Sequence, residues 1–165
     1  MYTSDYFIEK LDMISHPEGG FYKQSFISEE NISARGLNVE SEESKKVWTS
    51  IYFLLRDGEV SNFHRLKSDE MWYYHSGSSL TIYMITPEGK LITEELGLNI
   101  EKGEKPQVLV PKGYIFGSAM NNEGYALVGC MVSPGFEFKD FELFERNYLL
   151  DKYPNHKEVI LKLTR

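Results

Sequence analysis

The chain has 165 residues and a formal charge of −7, with 41% hydrophobic and 26% charged residues. That length and balance suit one folded domain, 1–165, and exclude disorder. An acidic chain without a basic stripe excludes nucleic acid as a partner, and no apolar run approaches the roughly 20 residues that cross a bilayer.

The predicted elements start with a helix over 4–14, "SDYFIEKLDMI", capped by Ser4. It carries Phe7, Ile8, Leu11 and Ile14 on one face. Pro17 and the pair Gly19–Gly20 in "SHPEGGFY" end it. Residues 28–46 are polar and without a clear period, which reads as a surface loop or flap. From Val47 to Val132 short runs rich in β-branched and aromatic residues follow one another: "VWTSIYFLL", "SNFHRL", "MWYYH", "SLTIYMIT", "KLITEEL", "PQVLVP", "YIFGSAM" and "YALVGCMV". Turn residues such as "RDGE", "SGSS", "PEGK" and "NNEG" separate them. Many short strands with regular turns predict a sandwich or barrel. In "GFEFKDFEL" the aromatics Phe136, Phe138 and Phe141 are expected to pack the C-terminal helix onto the barrel. From Asp140 helical spacing returns, with Phe141, Phe144 and Tyr148 on one face, and Pro154 divides the tail into two short helices. The fold class is therefore all-β, a barrel with short N- and C-terminal helices.

Cys130, the single cysteine, lies in an apolar run and reads as a small buried hydrophobe. The start, "MYTSDYFIEKLD", lacks the basic-then-apolar plan of a signal peptide, so a cytoplasmic protein is expected.

The informative stretch is "GEVSNFHRLKSDEMWYYHSG", 58–77. Gly58, His64, Glu70 and Gly77 resemble the first cupin motif in type and spacing. "VPKGYIF" resembles the second, on Pro111, Gly113 and Phe116. Two positions depart: Leu66 and Phe116 stand where the motifs place metal-binding histidines. "HPEGGFY", "FHRLKSDEMW", "LVGCMVSPGFEFKDFEL" and "LTR" resemble one uncharacterised branch of the cupins, from His16 to Arg165. The resemblance implies a double-stranded β-helix, or jelly-roll barrel, holding a small molecule. It also relates the fold to metal-free sugar epimerases and storage proteins.

Strand alternation puts His64 and Leu66 on one face, and Glu70, Trp72 and Tyr74 on one face. In the cupin plan both faces look inward. His64 and Glu70 alone are too few for a metal that takes three or more protein ligands, so no metal and no other cofactor is expected. His75, Tyr73 or Gln107 would supply a ligand only through unusual geometry. His16 and His156 read as capping or surface residues, and Arg65 as an outer charge. The expected catalytic set is His64 as general base with Glu70 and Tyr74. The expected pocket wall is Tyr52, Leu66, Trp72, Gln107 and Phe116.

Three functions follow: a metal-independent isomerase or epimerase acting on a small polar or sugar-like molecule, a non-catalytic small-molecule-binding cupin, and a metal-dependent cupin enzyme with unorthodox ligands. A homodimer is expected, because open sheets leave edges to cover. The segment through "GGFYKQSF" would supply a strand to that junction.

Overall fold

Two antiparallel sheets face each other in the computed structural model, which describes residues 2–33 and 44–165. In chain order the strands are β1 (Ile14–Ser15), β2 (Phe21–Ile27), β3 (Asn31–Ser33), β4 (Ser44–Lys46), β5 (Thr49–Arg56), β6 (Val60–Arg65) and β7 (Asp69–Gly77). They continue as β8 (Leu80–Ile85), β9 (Leu91–Leu96), β10 (Gln107–Val110), β11 (Ile115–Met120), β12 (Tyr125–Ser133) and β13 (Glu142–Leu143). One sheet runs β1-β2-β5-β12-β7-β10 and the other β13-β6-β11-β8-β9. Each run of β-branched and aromatic residues between Val47 and Val132 becomes one strand, because alternation lets every second side chain enter the shared interior.

The interior fills from both sheets. Leu55, Leu80, Ile82, Leu96, Ala126 and Val128 are fully enclosed. Trp72 meets Phe53 and Phe116 edge-on at 5.7 and 6.5 Å between ring centroids. The helices cover the outer faces. The helix α1 (Ser4–Lys10) sets Phe7 and Ile8 against Leu54 and Leu127 of the six-stranded sheet. Helices α2 (Arg146–Lys152) and α3 (Lys157–Lys162) bury Leu149, Ile160 and Leu163 against Phe63 and Ile115 of the other sheet.

Several expectations change. The N-cap of α1 is Thr3, whose hydroxyl accepts the Tyr6 N–H at 3.3 Å, not Ser4. The helix stops at Lys10, and Asp12, at φ 49°, turns the chain away. Ile14 therefore starts a strand instead of joining the apolar helix face. The polar 28–46 segment holds a hairpin at its ends, β3 with β4; residues 34–43 of the expected loop lie outside the described residues. Strand β2 pairs with β5 of its own chain. Phe141 is not helical: a 3-10 turn (Phe138–Asp140) and β13 come before α2. Pro154 does divide the tail, at the start of the 3-10 turn between α2 and α3.

Candidate functional site

The site begins with a turn. Between β1 and β2 the sequence His16-Pro17-Glu18-Gly19-Gly20 folds on itself through His16 N–H to Gly20 O and Gly19 N–H to His16 O. Gly19 (φ 115°) and Gly20 (φ 68°) take backbone angles that L side chains rarely adopt. A Cβ on Gly19 would lie 2.1 Å from the Val60 carbonyl oxygen. Two glycines thus let the turn press against β6, and the Glu18 carbonyl accepts the Asn62 backbone N–H at 2.7 Å and its amide at 2.5 Å. Glu18 is thereby driven into the barrel, where it is buried.

Three buried side chains meet there. The Glu18 Oε2 lies 3.1 Å from His64 Nε2 and 3.4 Å from His16 Nδ1, and Ser61 donates its hydroxyl to Oε1 at 2.8 Å. His64 Nδ1 lies 2.8 Å from the Asn62 carbonyl, which can only accept, so this nitrogen carries the proton and Nε2 offers a lone pair. His16 Nδ1 accepts the Glu18 N–H at 3.2 Å, so it too is bare. A proton on Glu18 Oε2 is what His64 Nε2 requires, since His16 Nδ1 already accepts the Glu18 N–H. Burial supplies it: it pushes the Glu18 carboxyl well above its usual range, the Glu70 carboxylate adds to this, and the Ser61 bond opposes it. Burial likewise lowers His64 to about 3 and His16 to about 4. The cluster is a hydrogen-bonded set of neutral groups, not an ion pair.

Across the interior, on β7, Glu70 accepts the Trp72 indole N–H at 2.8 Å. Burial raises its carboxyl to about 7, against the lowering effect of that bond. Glu70 is thus the ionisable group that changes state near neutrality. His64 belongs to one sheet and Glu70 to the other.

A cavity of about 430 Å³ lies between them, within the range of small-molecule sites. His16, Glu18, His64 and Glu70 line it, with Leu66 and Trp72. Cys130 forms part of the wall; burial raises its thiol well above its usual range, so it keeps its proton. The 134–141 segment closes one side with Phe136, Phe138 and Phe141. This corrects the expectation that these aromatics pack the C-terminal helix. Phe136 N–H bonds to the Thr49 hydroxyl at 2.8 Å, and Asp140 meets the buried Lys45 of β4.

The structure brings together four of the eight expected site residues: His64, Glu70, Leu66 and Trp72. Phe116 packs against His64 with ring centroids 4.0 Å apart and the planes tilted by 54°, and stands behind it, not on the wall. Tyr74 directs its hydroxyl to the Gly77 carbonyl at 2.6 Å, away from the cavity. Tyr52 alternates with the inward Phe53 and lies on the outer face beside His75, 5.9 Å between centroids. Gln107 is exposed on the edge strand β10, and its neighbour Val108 points inward. The carboxyl in contact with His64 is that of Glu18. His16 and Glu18 were missed as site residues; the signal available was the "HPEGG" segment, whose Gly pair demands a tight approach to another strand.

Known proteins place this geometry. Residues 5–144 match the Cupin_5 family of the cupin superfamily (DUF985). The chain is a cupin of that family. A Shewanella oneidensis protein, SO0799, is 57% identical, with a TM-score of 0.91 over 100% of this chain and 99% of that one. A hypothetical protein from Leishmania major is 35% identical, with a TM-score of 0.88 over 99% of both chains. An uncharacterised Saccharomyces cerevisiae protein, YML079W, is 27% identical over 144 residues, 81% of this chain and 71% of that protein. Bacillus subtilis oxalate decarboxylase, at 17% identity and a TM-score of 0.56 over 90% of this chain and 36% of that one, shares the fold alone.

A metal does not fit this cupin's donor set. Leu66 and Phe116 occupy two ligand positions of the cupin motifs, His64 commits Nδ1 to a carbonyl and faces Glu18 with Nε2, and His16 Nδ1 accepts a backbone N–H. Among the described residues no three His, Cys, Asp or Glu side chains are arranged to hold a metal ion. No described helix is long and apolar enough to cross a membrane.

Proposed function

We propose that this cupin binds a small molecule in its barrel and moves a proton on it without a metal, as an isomerase or epimerase does. The observation that carries the reading is the pair of carboxyls, Glu18 and Glu70, placed on the cavity from opposite sides and electrostatically coupled. Two such groups share one negative charge more easily than they carry two. Glu70, near 7, takes a proton from the ligand as a carboxylate. Its neutralisation removes the charge that holds the Glu18 proton, so Glu18 gives its own to the opposite side of the ligand. The Ser61 hydroxyl, which donates to Oε1, then stabilises the Glu18 carboxylate, and the charge of the site is unchanged. In this scheme the base is Glu70, and His64 orients Glu18.

The second reading, a binding cupin without catalysis, is favoured by the engaged nitrogens of both histidines. One experiment separates the two. A small molecule that co-purifies with the protein is identified by mass spectrometry, then incubated with the protein in deuterium oxide. Deuterium entering a carbon position with wild type, and not with Glu70→Gln, supports proton transfer. Stoichiometric binding without exchange leaves the binding reading.

The homodimer stands on separate ground. Beyond Tyr22, the outer edge of β2 pairs with no strand among the described residues, and Phe26 and Ile27 on it are exposed. Sedimentation at micromolar concentration tests it, a single 19 kDa species being the opposing outcome.

A further inference from the structure

We propose that the ligand of the cavity is an uncharged, ring-shaped and largely apolar compound with one polar end, a hydroxyl or carbonyl. This rests on the reading of the cavity as a ligand site. The argument is where the polar atoms are. The buried ionisable groups gather where the His16–Glu18 turn, His64 and Glu70 meet. The other walls are Ile51, Phe53, Leu66, Val132, Phe136 and Phe141, which offer a ligand no side-chain donor or acceptor. Two further polar groups on the wall are occupied: the Trp72 indole N–H by Glu70, and the Thr49 hydroxyl by the Phe136 N–H. The remaining polar side chains of the lining are Asp12, Lys23 and Gln24, exposed at its rim, and the half-buried Tyr22, whose ring packs edge-on against His16 at the same polar end.

A carbohydrate carries a hydroxyl on nearly every carbon. In this cavity most would be stripped of water without a partner, and each such group is costly to bury. A flat ring instead lies against Phe53, Trp72 and Phe136, and its one polar atom reaches the carboxyl and imidazole groups. An anion finds no guanidinium or ammonium deep in the cavity. The cation on its lining, Lys23, is half-exposed and lies 4.0 Å from Asp12. A negative end would face Glu18 and Glu70. A positive end would meet the Glu70 carboxyl but would lose its hydration in the same closed space, where burial disfavours the charged forms of His16, His64 and Glu70 alike.

Four probes test the class, three of them sharing one ring: 2-naphthol, 2-naphthoate, 2-naphthylmethylammonium and methyl α-D-glucoside. Each is titrated calorimetrically into the full-length protein. The expected result is that 2-naphthol binds at least roughly tenfold more tightly than the other three, a difference of about 1.4 kcal/mol. Binding should be lost in Leu66→Trp, which fills the cavity; if that variant does not fold, Ile51→Phe fills it from the other sheet. Equal or tighter binding of the naphthoate, the ammonium or the glucoside overturns the class, and so does failure of all four. Xenon pressurisation of crystals then separates the two failures, because an apolar cavity takes up xenon without any polar contact. Xenon in the cavity with no ring bound sinks the ligand class and leaves the cavity reading intact; xenon excluded sinks both.

Discussion

The two halves of the barrel interior use the same strands to opposite ends. Strand β12 sends Ala126 and Val128 into one half and Cys130 and Val132 into the other; β5 sends Leu55 to the first, and Ile51 and Phe53 to the second. The first half is packed solid around Leu80, Ile82 and Leu96. The second stays open because a turn carrying Glu18 enters it, and because bonds to the protein hold the Glu18–His64 pair on one side and Glu70 on the other. Stability and a binding space are thus separated along the barrel axis, not between layers.

The largest effects should come from the packed half. Leu80→Ala leaves a new void, and unfolding in urea should show a loss of about 3–5 kcal/mol. Leu66→Ala removes the same atoms beside space that already exists, and should lose about 1–2 kcal/mol. Equal losses would mean that the open half is closed in solution.

Next comes the cluster itself. Glu18→Ala leaves the Ser61 hydroxyl and the His64 imidazole without their carboxyl partner, and should destabilise by about 2–3 kcal/mol at pH 7. Glu18→Gln keeps one donor for His64 and should recover part of this. Ser61→Ala, which leaves the carboxyl in place, should cost about 1 kcal/mol.

Much of this was legible in the sequence and some was not, for definable reasons. All eight strand runs between Val47 and Val132 were visible, because half-buried strands impose alternation on their own residues. Alternation also put His64 with Leu66, and Glu70 with Trp72, on shared faces, and the cupin resemblance turned those faces inward. The same rule, applied to "SIYFLL" from Phe53, excludes Tyr52. Tyr74 failed differently: its ring packs on the core, but a bulge in the β7–β12 pairing beside it lets its hydroxyl turn to Gly77. Glu18 was illegible by periodicity, since a turn has no period. It enters the site through a tertiary contact with β6 that only the Gly19–Gly20 pair announces. The three Phe of 136–141 misled because an apolar residue at helical spacing serves a cavity wall as well as a helix seam.

The pH dependence of stability sharpens the comparison further, because its sign differs between the groups of the open half. His16 and His64 are lowered to about 4 and 3, so the unfolded chain binds their protons first and stability falls as pH drops below about 6.5. Glu70 is raised to about 7, so the folded chain holds its proton longer. That contribution is full below about 4.5 and is lost as pH rises to about 7. Glu70→Gln removes this loss. Relative to wild type it should gain stability between pH 5 and 8, by up to a few kcal/mol. Urea midpoints measured across that range check it; parallel curves would show that Glu70 titrates normally.

The smallest expected effect concerns Tyr74, the phenol that sequence position offered as an acid. Its ring packs on the core from the packed side, and its hydroxyl donates to the Gly77 carbonyl at 2.6 Å in a partly exposed setting. Burial, with smaller contributions from Tyr125 and Glu104, raises the phenol above its usual value, which makes it a poorer proton exchanger near neutrality. Removing the hydroxyl deletes one hydrogen bond that water can replace, so Tyr74→Phe should cost less than about 1 kcal/mol. Because the cavity lies on the far side of Trp72, the same variant should leave 2-naphthol binding and any deuterium exchange at wild-type levels. A loss of exchange in Tyr74→Phe with binding intact would move the acid from Glu18 to Tyr74, and would require the packed half to open during turnover. Glu70→Gln is the matched comparison, two residues beyond Trp72 on the same strand face: there the expectation is loss of exchange with the fold retained.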